Sequence, residues 1–295
     1  PRTEPAAAPA GPAEPAEPLE KTEPMAPPNW EDTSAGKDVP MTRLTVRMAP
    51  AAAPGLAMNG LGNGPLTVVD GGSGIAEPLV AVLGEHGLQA VAADRLPDGS
   101  GGVIHLGGLA EIGSAEQAME IQKDAFRWAR AAAGSRIPSD GVFVTVQDTG
   151  GDFGLAGSQG ERAWLGGLSG LIATAGAEWP EASVKAIDCE RGDRSPAEIA
   201  AAIAGELLAG GMTPRVGLRA DGTRLVPEVS ADKAELGDTG AIADRLGSEP
   251  VILATGGGRG VTAATVLELA RACRPRLVLI GRTALAERRE ERAAT

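Results

Sequence analysis

The sequence contains no tyrosine and few other aromatic residues. Its 295 residues include 3 phenylalanines and 4 tryptophans. Within these residues there is no phenol to act as a general acid, so a reaction that depends on a tyrosine cannot be completed by them alone. The core must rest on valine, leucine, isoleucine and alanine, a composition that suits a sheet covered by helices.

Histidine, cysteine and long apolar runs are also scarce. The 2 histidines are isolated and the 2 cysteines lack metal-ligand spacing, so we expect no metal site. We interpret the cysteines as reduced thiols of a cytoplasmic protein. No apolar segment reaches the roughly 18 residues of a transmembrane helix, and the N-terminus lacks the apolar stretch of a signal peptide. The formal net charge of −12 argues against binding nucleic acid or an anionic membrane.

Residues 1–64 are rich in proline and poor in large apolar side chains. More than half of the 22 prolines lie there, and Pro1–Pro18 repeats proline, alanine and glutamate. Such a segment cannot bury enough surface to offset its ordering entropy, so we interpret 1–64 as an interdomain linker. A sequence that opens in a linker is expected to be part of a longer polypeptide. Within this range, Leu44–Met48 alternates in polarity and predicts a short edge strand.

Residues 65–230 show strands and helices in regular alternation. This order predicts right-handed crossovers and a Rossmann-like, doubly wound parallel sheet of the α/β class. The predicted strands are Leu66–Asp70, Gln89–Asp94, Gly102–Leu106, Gly141–Gln147 and Ser183–Cys189, then a hairpin of Arg215–Arg219 and Arg224–Val229. The predicted helices are Ile75–His86, Ser114–Ala133, Gln159–Glu178 and Ser195–Leu208. Ser114 with Gln117 predicts a capping box, and Ser195 predicts a second helix cap.

After a polar connection over 231–249, the pattern of strand, glycine turn and helix starts again. Val251–Thr255 predicts a buried strand, Ala263–Ala272 a helix, and Arg276–Ile280 a second strand. A nucleotide-binding domain built from this strand onward needs far more residues. We therefore expect 250–295 to be the incomplete first β-α-β of a second Rossmann domain.

The first of two glycine turns follows the strand Leu66–Asp70. Asp70 ends that strand, and Glu77 lies in the first turn of the next helix, so two carboxylates would repel a pyrophosphate. We expect a tight strand-to-helix turn that binds no ligand.

The second glycine turn has the character of a dinucleotide-binding loop. Its glycines allow a sharp turn and bring backbone N–H groups close to a pyrophosphate at a helix N-terminus. Thr262 replaces the third glycine of the usual fingerprint. The predicted cofactor-binding residues of this turn are Thr255, Gly256, Gly257, Gly258, Arg259, Gly260 and Val261.

The residue after the second strand indicates which dinucleotide binds. NAD sites place an acid there to bind the ribose 2′-hydroxyl, whereas an arginine accommodates a 2′-phosphate. Here the strand Arg276–Ile280 is followed by Gly281 and Arg282. Arg282 is therefore a predicted cofactor-binding residue, and NADPH is the predicted cofactor.

The motifs together resemble the ketoreductase region of modular polyketide synthases. The turn Gly256–Thr262 and the segment Leu279–Thr283 look most like those of polyunsaturated fatty acid synthases and related iterative polyketide synthases. Gly167–Pro180 followed by Val184–Asp188 resembles a helix and strand of the structural subdomain in that family. The resemblance covers roughly residues 65–285.

The resemblance implies a division of labour between two subdomains. In that family a truncated reductase fold, here 65–230, braces a second subdomain, which binds NADPH and reduces a β-ketoacyl thioester. The implied partners are an acyl carrier protein domain of the same polypeptide, which carries phosphopantetheine, and the neighbouring synthase domains.

No catalytic residue can be assigned from the resemblance. The family's serine, tyrosine and lysine lie downstream of the glycine turn, so we expect this stretch alone to be inactive. Ser169 and Lys185 belong to the bracing subdomain, and we interpret them as a helix-surface and a strand-edge residue. The alternative function is a non-catalytic scaffold, a pseudo-reductase that organises a megasynthase. A stand-alone short-chain dehydrogenase is disfavoured by the linker and the duplicated Rossmann pattern.

Overall fold

A computed structural model describes residues 43–157, 160–232, 245–247, 249–258 and 260–281. None of the helices in these ranges is long and apolar enough to cross a membrane. The strands are β1 Arg43–Pro50, β2 Leu66–Val69, β3 Ala90–Ala92, β4 Gly102–Gly108, β5 Val142–Gln147, β6 Ser183–Cys189, β7 Arg215–Leu218, β8 Arg224–Asp232, β9 Val251–Thr255 and β10 Arg276–Ile280. The α-helices are α1 Ala76–Glu85, α2 Ala115–Ala133, α3 Ile137–Asp140, α4 Gly167–Glu178, α5 Pro196–Ala209 and α6 Gly260–Cys273, and a 3₁₀ helix spans Gly160–Gly166.

Eight strands form one sheet in the order β1-β8-β7-β6-β5-β4-β2-β3. The six strands from β7 to β3 in this order run parallel, while β8 is antiparallel to β7 and β1 is antiparallel to β8. The predicted α/β class and Rossmann-like parallel sheet are confirmed. The chain passes from β2 to β3 on one side and returns to β4 on the other. The carboxyl ends of β2 and β4 therefore flank the topological switch point, where such sheets bind ligands.

Helices cover both faces of this sheet because alternate strand residues point to opposite faces. On one face, Val142, Val144 and Val146 of β5 pack with apolar residues of α1 and α5. On the other face, Phe143 lies in a cluster with residues of α2 and α4. The Phe143 ring meets the Trp179 ring edge-on, with centroids 5.7 Å apart.

The outer edge of the sheet is an antiparallel ribbon of β1 and β8. The predicted edge strand Leu44–Met48 is present as part of β1, and Arg43 pairs with Asp232 at one end of the ribbon. Farther along, Met58 and Leu61 are buried in the core. The sheet and its core thus include residues from the range 1–64, while the domain boundaries themselves stay a prediction.

Two local expectations differ from the structure. The predicted helix Gln159–Glu178 is divided, with a 3₁₀ helix to Gly166 before α4 begins at Gly167. Three glycines in that stretch (160, 166 and 167) weaken an α-helix. The capping box at Ser114 is only half formed, because the Gln117 side chain accepts from the Gly113 N–H instead. At Ser195 the box is complete.

The second glycine turn lies in a separate two-stranded sheet. Strands β9 and β10 are parallel, with Val251 beside Arg276 and Thr255 beside Ile280, and α6 is the crossover between them. Strand β10 and α6 lie where the sequence predicts them. Strand β9, expected to be buried, leaves Val251 and Leu253 more than half exposed, because within the described ranges β10 is the only strand beside it.

Candidate functional site: two glycine turns

The first glycine turn lies at the switch point of the eight-stranded sheet, between β2 and α1. Gly71 and Gly72 have positive φ values of 58° and 85°, which permit the chain to reverse sharply. A Cβ on Gly71 would come within 2.5 Å of the Gly107 Cα atom. The turn after β2 therefore touches the carboxyl end of β4, and this contact narrows the crevice that a dinucleotide would enter.

Asp70 closes the first turn from inside. Its Oδ1 accepts hydrogen bonds from the N–H groups of Ile75 and Ala76, each at 3.1 Å. The Gly74 N–H donates to Oδ2 at 3.2 Å, and the Ser73 hydroxyl donates to Oδ1 at 2.9 Å. Donors at a helix N-terminus are those that otherwise bind a phosphate. Sequence reasoning treated Asp70 as a repelling charge, whereas the structure shows its carboxylate bound where a phosphate would lie.

The ionisation of Asp70 fits this role. Burial raises the pKa of Asp70, but hydrogen bonds from Ala76, Gly74, Ser73 and Ile75 outweigh burial and hold the pKa below its usual value. The carboxylate is therefore charged at neutral pH, and its charge is opposite to that of the α1 N-terminus.

Two arginines occupy the carboxyl edge of the same sheet. Arg191, just after β6, donates to the carbonyl oxygens of Leu109 at 2.6 Å and Ser73 at 3.4 Å. Arg162 donates to the Gly108 carbonyl at 2.9 Å and to two further carbonyls nearby. The guanidinium groups therefore bind the loops that follow β2 and β4. Sequence reasoning missed both residues: Arg191 could be placed at this edge because it follows a strand, but nothing local marks Arg162.

A buried carboxylate fixes the neighbouring loop after β5. Asp188 accepts hydrogen bonds from the Thr149 N–H at 2.6 Å, the Thr149 hydroxyl at 2.8 Å and the Phe153 N–H at 2.6 Å. Phe153 has a φ of 57°, a conformation that this carboxylate helps to hold. Burial raises the pKa of Asp188 to about 6, against the hydrogen bonds from Thr149 and Phe153, and the nearby Asp148 charge raises it further.

Ser169 and Lys185 have structural contacts. The Ser169 hydroxyl donates to the Gly166 carbonyl at 3.0 Å on the exposed side of α4. Lys185 is fully buried, and its Nζ donates to Glu206 Oε1 at 2.7 Å and to the Gly211 carbonyl at 2.8 Å. Burial lowers the pKa of Lys185, against the opposing effect of Glu206. The expectation of a strand-edge lysine is wrong, because β6 lies inside the sheet and Glu206 compensates the charge.

The second glycine turn has a different environment. Gly256 and Gly260 have φ values of 72° and 65°, and the Gly256 N–H donates to the Ile280 carbonyl at 2.7 Å. A Cβ on Gly256, Gly258 or Gly260 would meet no atom of the described residues within 4 Å. A Cβ on Gly257 would lie 2.8 Å from Leu279 Cδ2, so this glycine lets the turn pack on β10. The first helical turn of α6 carries no acidic residue. The N–H groups of the second glycine turn therefore have no carboxylate beside them of the kind that Asp70 supplies to the first glycine turn.

The remaining predicted cofactor residues are only partly described. Thr255 ends β9 at the start of the turn, and Val261 lies exposed in the first turn of α6. Arg259 and Arg282 lie outside the described residues. Among those that are described, no group of three or more histidine, cysteine, aspartate or glutamate side chains could hold a metal ion.

Solved structures with a similar fold include ketoreductases. The chain matches A-type ketoreductases from a modular polyketide synthase with a TM-score of 0.51 and 18% identity, over 82% of this chain and 53% of that chain. An N-terminal ketoreductase from the macrolactin assembly line matches with a TM-score of 0.54 and 14% identity, over 83% of this chain and 54% of that chain. A keto acid-selecting NRPS module with adenylation, ketoreductase and pseudo Asub domains matches with a TM-score of 0.60 and 15% identity, over 82% of this chain and 22% of that chain. No family model and no curated protein matches the sequence.

These likenesses concern the fold. The chain spans about half the length of the two ketoreductases that it matches. At this low identity, shared architecture does not transfer an activity from one protein to another. The resemblance seen in the sequence is confirmed at that level: the chain has the Rossmann-like fold of polyketide synthase ketoreductases.

Proposed function

We propose that this chain is part of an NADPH-dependent β-ketoacyl reductase within a multidomain polyketide or polyunsaturated fatty acid synthase. The open glycine turn between β9 and α6 is the observation that carries this proposal. Its positive-φ glycines and uncrowded backbone suit a pyrophosphate, whereas the first turn already holds the Asp70 carboxylate. The fold shared with solved ketoreductases supports it.

In this proposal the eight-stranded domain and the second glycine turn have different functions. The eight-stranded domain braces the reductase and binds no nucleotide, because Asp70, Arg162 and Arg191 occupy its crevice. The turn from Thr255 to Val261 binds the pyrophosphate, and the guanidinium groups of Arg259 and Arg282 bind the 2′-phosphate.

The chemistry requires groups that these residues do not include. NADPH supplies a hydride when it is bound. The substrate is a β-ketoacyl group on the phosphopantetheine of an acyl carrier protein domain, and the product is a β-hydroxyacyl group. The proton donor would be a tyrosine outside this stretch, because the 295 residues contain none.

The cofactor assignment is tested by Arg282→Ala in the complete reductase. A charge-assisted hydrogen bond is worth about 1.5–3 kcal/mol, which corresponds to about 10- to 150-fold in affinity. We expect NADPH binding to weaken by that factor and NADH binding to stay unchanged. Arg271→Ala is the matched control, because Arg271 is an exposed arginine on α6 that pairs with Glu268. Equal losses for both cofactors, or no loss for either, would refute the assignment.

The alternative is a pseudo-reductase that only organises neighbouring domains. The closed crevice favours a non-catalytic, organising function for the eight-stranded domain taken alone. The complete protein distinguishes the two functions: NADPH oxidation with a β-ketoacyl thioester supports the reductase, and its absence in a protein that binds NADPH supports the scaffold.

A further inference from the structure

Three buried polar side chains form a chain of hydrogen bonds beyond the end of β5. Gln147, Thr149 and Asp188 are all almost completely shielded from solvent. The Gln147 Nε2 group donates to Thr149 Oγ1 at 3.0 Å, and the Thr149 hydroxyl donates to Asp188 Oδ2 at 2.8 Å. Both donors in this chain therefore point toward the carboxylate.

The amide at the far end of the chain is only half satisfied. The Gln147 Oε1 atom is buried, and none of the described residues donates a hydrogen bond to it. The oxygen and the NH₂ group of an amide have nearly the same shape, so a half-turn of the amide exchanges them without disturbing the packing. After that half-turn, Nε2 would be the atom without a partner. The direction of the Thr149 hydroxyl therefore decides which orientation of Gln147 is preferred.

The protonation state of Asp188 sets the direction of that hydroxyl. A charged carboxylate only accepts hydrogen bonds, so Thr149 donates to it and accepts from Gln147. A protonated carboxyl has an O–H group that can donate to Thr149 Oγ1. The Thr149 hydroxyl can then donate to Gln147 Oε1 once the amide has turned, and the oxygen that lacks a partner in the charged state gains one.

We propose that Gln147, Thr149 and Asp188 form a two-state hydrogen-bond chain, in which one proton bound at Asp188 Oδ2 reverses both side-chain hydrogen bonds and turns the Gln147 amide. The proton comes from water and neutralises the carboxylate. Burial raises the pKa of Asp188 to about 6, which places the change just below neutral pH. The proposal is independent of the reductase function.

The charged groups on the elements that adjoin Asp188 have partners of their own. They are Asp148 with Arg162, Asp152 with Arg219, Arg191 with the carbonyls of Ser73 and Leu109, Arg194 with Cys189 Sγ, and Glu190 with the Ala220 N–H. Burial raises the pKa of the Cys189 thiol to about 11, so this thiol keeps its proton near neutral pH. Guanidinium and backbone N–H groups only donate, so the direction of their contacts is fixed. The chain from Gln147 to Asp188 is thus the part of this cluster whose hydrogen bonds can reverse.

The same proton acts on the loop after β5. Asp188 holds this loop through the N–H groups of Thr149 and Phe153. In an opened loop the carboxyl would meet water and have an ordinary pKa near 4. The pKa of about 6 in the closed loop is higher, so the proton stabilises the closed loop, and opening becomes easier as pH rises from about 4 to 6. We expect opening to be about tenfold more frequent at about pH 7 than at about pH 5.

The first test is nuclear magnetic resonance of the 295-residue chain with ¹⁵N in its glutamine side chains. The chain contains 5 glutamines, and the signal that is lost in Gln147→Met identifies Gln147. The Gln147 amide protons should show a nuclear Overhauser effect to the Thr149 methyl group above the pKa of Asp188. This effect should weaken on acidification, with a midpoint near pH 6. An effect of unchanged strength across this range would overturn the proposal.

The second test asks whether the Thr149 hydroxyl transmits the change. Thr149→Val keeps the shape and removes the hydroxyl, so the Gln147 signal should no longer depend on pH, and Thr149→Ser should restore the dependence. The matched control is Thr145→Val, since Thr145 is also buried and its hydroxyl donates to the Leu168 carbonyl instead. This control should titrate like the parent chain. A Gln147 signal that still titrates in Thr149→Val would show that the Asp188 charge acts through space, which would overturn the hydrogen-bond chain.

Hydrogen exchange tests the effect on the loop in the same chain. Exchange of peptides that cover residues 149–153 is compared at about pH 5 and 7, after correction for the chemical exchange rate at each pH. The parent chain should show the tenfold rise in opening, and Asp188→Asn should show none. A parent chain without this rise, or a rise that persists in Asp188→Asn, would contradict the proposal.

Discussion

The two glycine turns share one sequence pattern and differ in what lies inside them. Each follows a parallel strand, contains glycines of positive φ and leads into a helix. In the first, the Asp70 carboxylate binds the N–H groups at the start of α1. In the second, Thr255 takes the place of the aspartate, and no described residue crowds Gly256, Gly258 or Gly260. One residue at the strand end thus decides whether the protein itself supplies a negative charge to the N–H groups of the turn.

The residues around the two turns differ in packing: those around the first turn are held by hydrogen bonds and close contacts, and those around the second are exposed. Arg162 and Arg191 bind the carbonyl groups around the first turn, and Gly71 packs on Gly107. Around the second turn, all five residues of β10 are exposed. A Rossmann turn can therefore have a purely structural role, provided that side chains of the protein accept hydrogen bonds from its backbone N–H groups.

The largest expected effect comes from adding one methyl group to the closed turn. Gly71→Ala combines an unfavourable left-handed residue with a Cβ 2.5 Å from Gly107 Cα. Left-handed strain and overpacking together cost about 3 kcal/mol. Gly256→Ala has the strain alone and should cost about 1 kcal/mol. Urea unfolding of the two variants measures the difference, and equal losses would show that the first turn is no more tightly packed than the second.

The next effect sharpens the role of Asp70. Asp70→Ala should lower the free energy of unfolding by about 2 kcal/mol, because three backbone N–H groups lose a charged acceptor. Thr255→Ala, the equivalent change in the second turn, should cost less than about 0.5 kcal/mol, since Thr255 is exposed. Thermal unfolding of both variants provides the check. A loss for Thr255→Ala as large as that for Asp70→Ala would remove the distinction between the turns.

A pH effect separates Asp70 from Asp188. The pKa of Asp70 is lowered in the folded protein, so the stability that it contributes is present above its unfolded pKa near 4 and is lost on further acidification. The pKa of Asp188 is raised to about 6. Between about pH 4 and 6 the folded state keeps the Asp188 proton that the unfolded state releases, so the contribution of Asp188 to stability falls as pH rises through this window.

The Asp188 effect is measurable against a variant that cannot titrate. One group changes the free energy of unfolding by at most about 1.4 kcal/mol per pH unit. Asp188→Asn should abolish the decline between pH 4 and 6, whereas Asp70→Asn should keep it. Urea midpoints at several pH values test this, and a decline that persists unchanged in Asp188→Asn would assign it to another group.

Local sequence signals predicted the fold well where a pattern is short-range. Ser195 caps its helix as predicted, and β10 spans the predicted Arg276–Ile280. The pattern failed where glycines make helix types nearly equal in energy, as at the 3₁₀ helix before α4. Contacts distant in sequence were also out of reach. Lys185 finds Glu206 21 residues away, and Arg191 finds Ser73 118 residues away, so neither burial nor partner could be inferred locally.

The site was predicted unevenly for the same reason. Glycine spacing identified both turns, and the acid at Asp70 is the residue that distinguishes the first turn from the second. The sequence could not show that this carboxylate binds the N–H groups at the start of α1. An aspartate at this position is expected both where it only repels a phosphate and where it takes the place of one. The cofactor contacts of Arg259 and Arg282 stay predictions.

Hydrogen–deuterium exchange of the complete reductase with and without NADPH tests the central claim most directly. The two turns are compared in one protein under one set of conditions, so the protein and cofactor concentrations are the same for both. We predict that NADPH slows exchange in peptides that include Gly256, Gly257 and Gly258 and leaves peptides that include Gly71, Gly72 and Gly74 unchanged. Slower exchange at the first turn, or none at the second, would contradict the account.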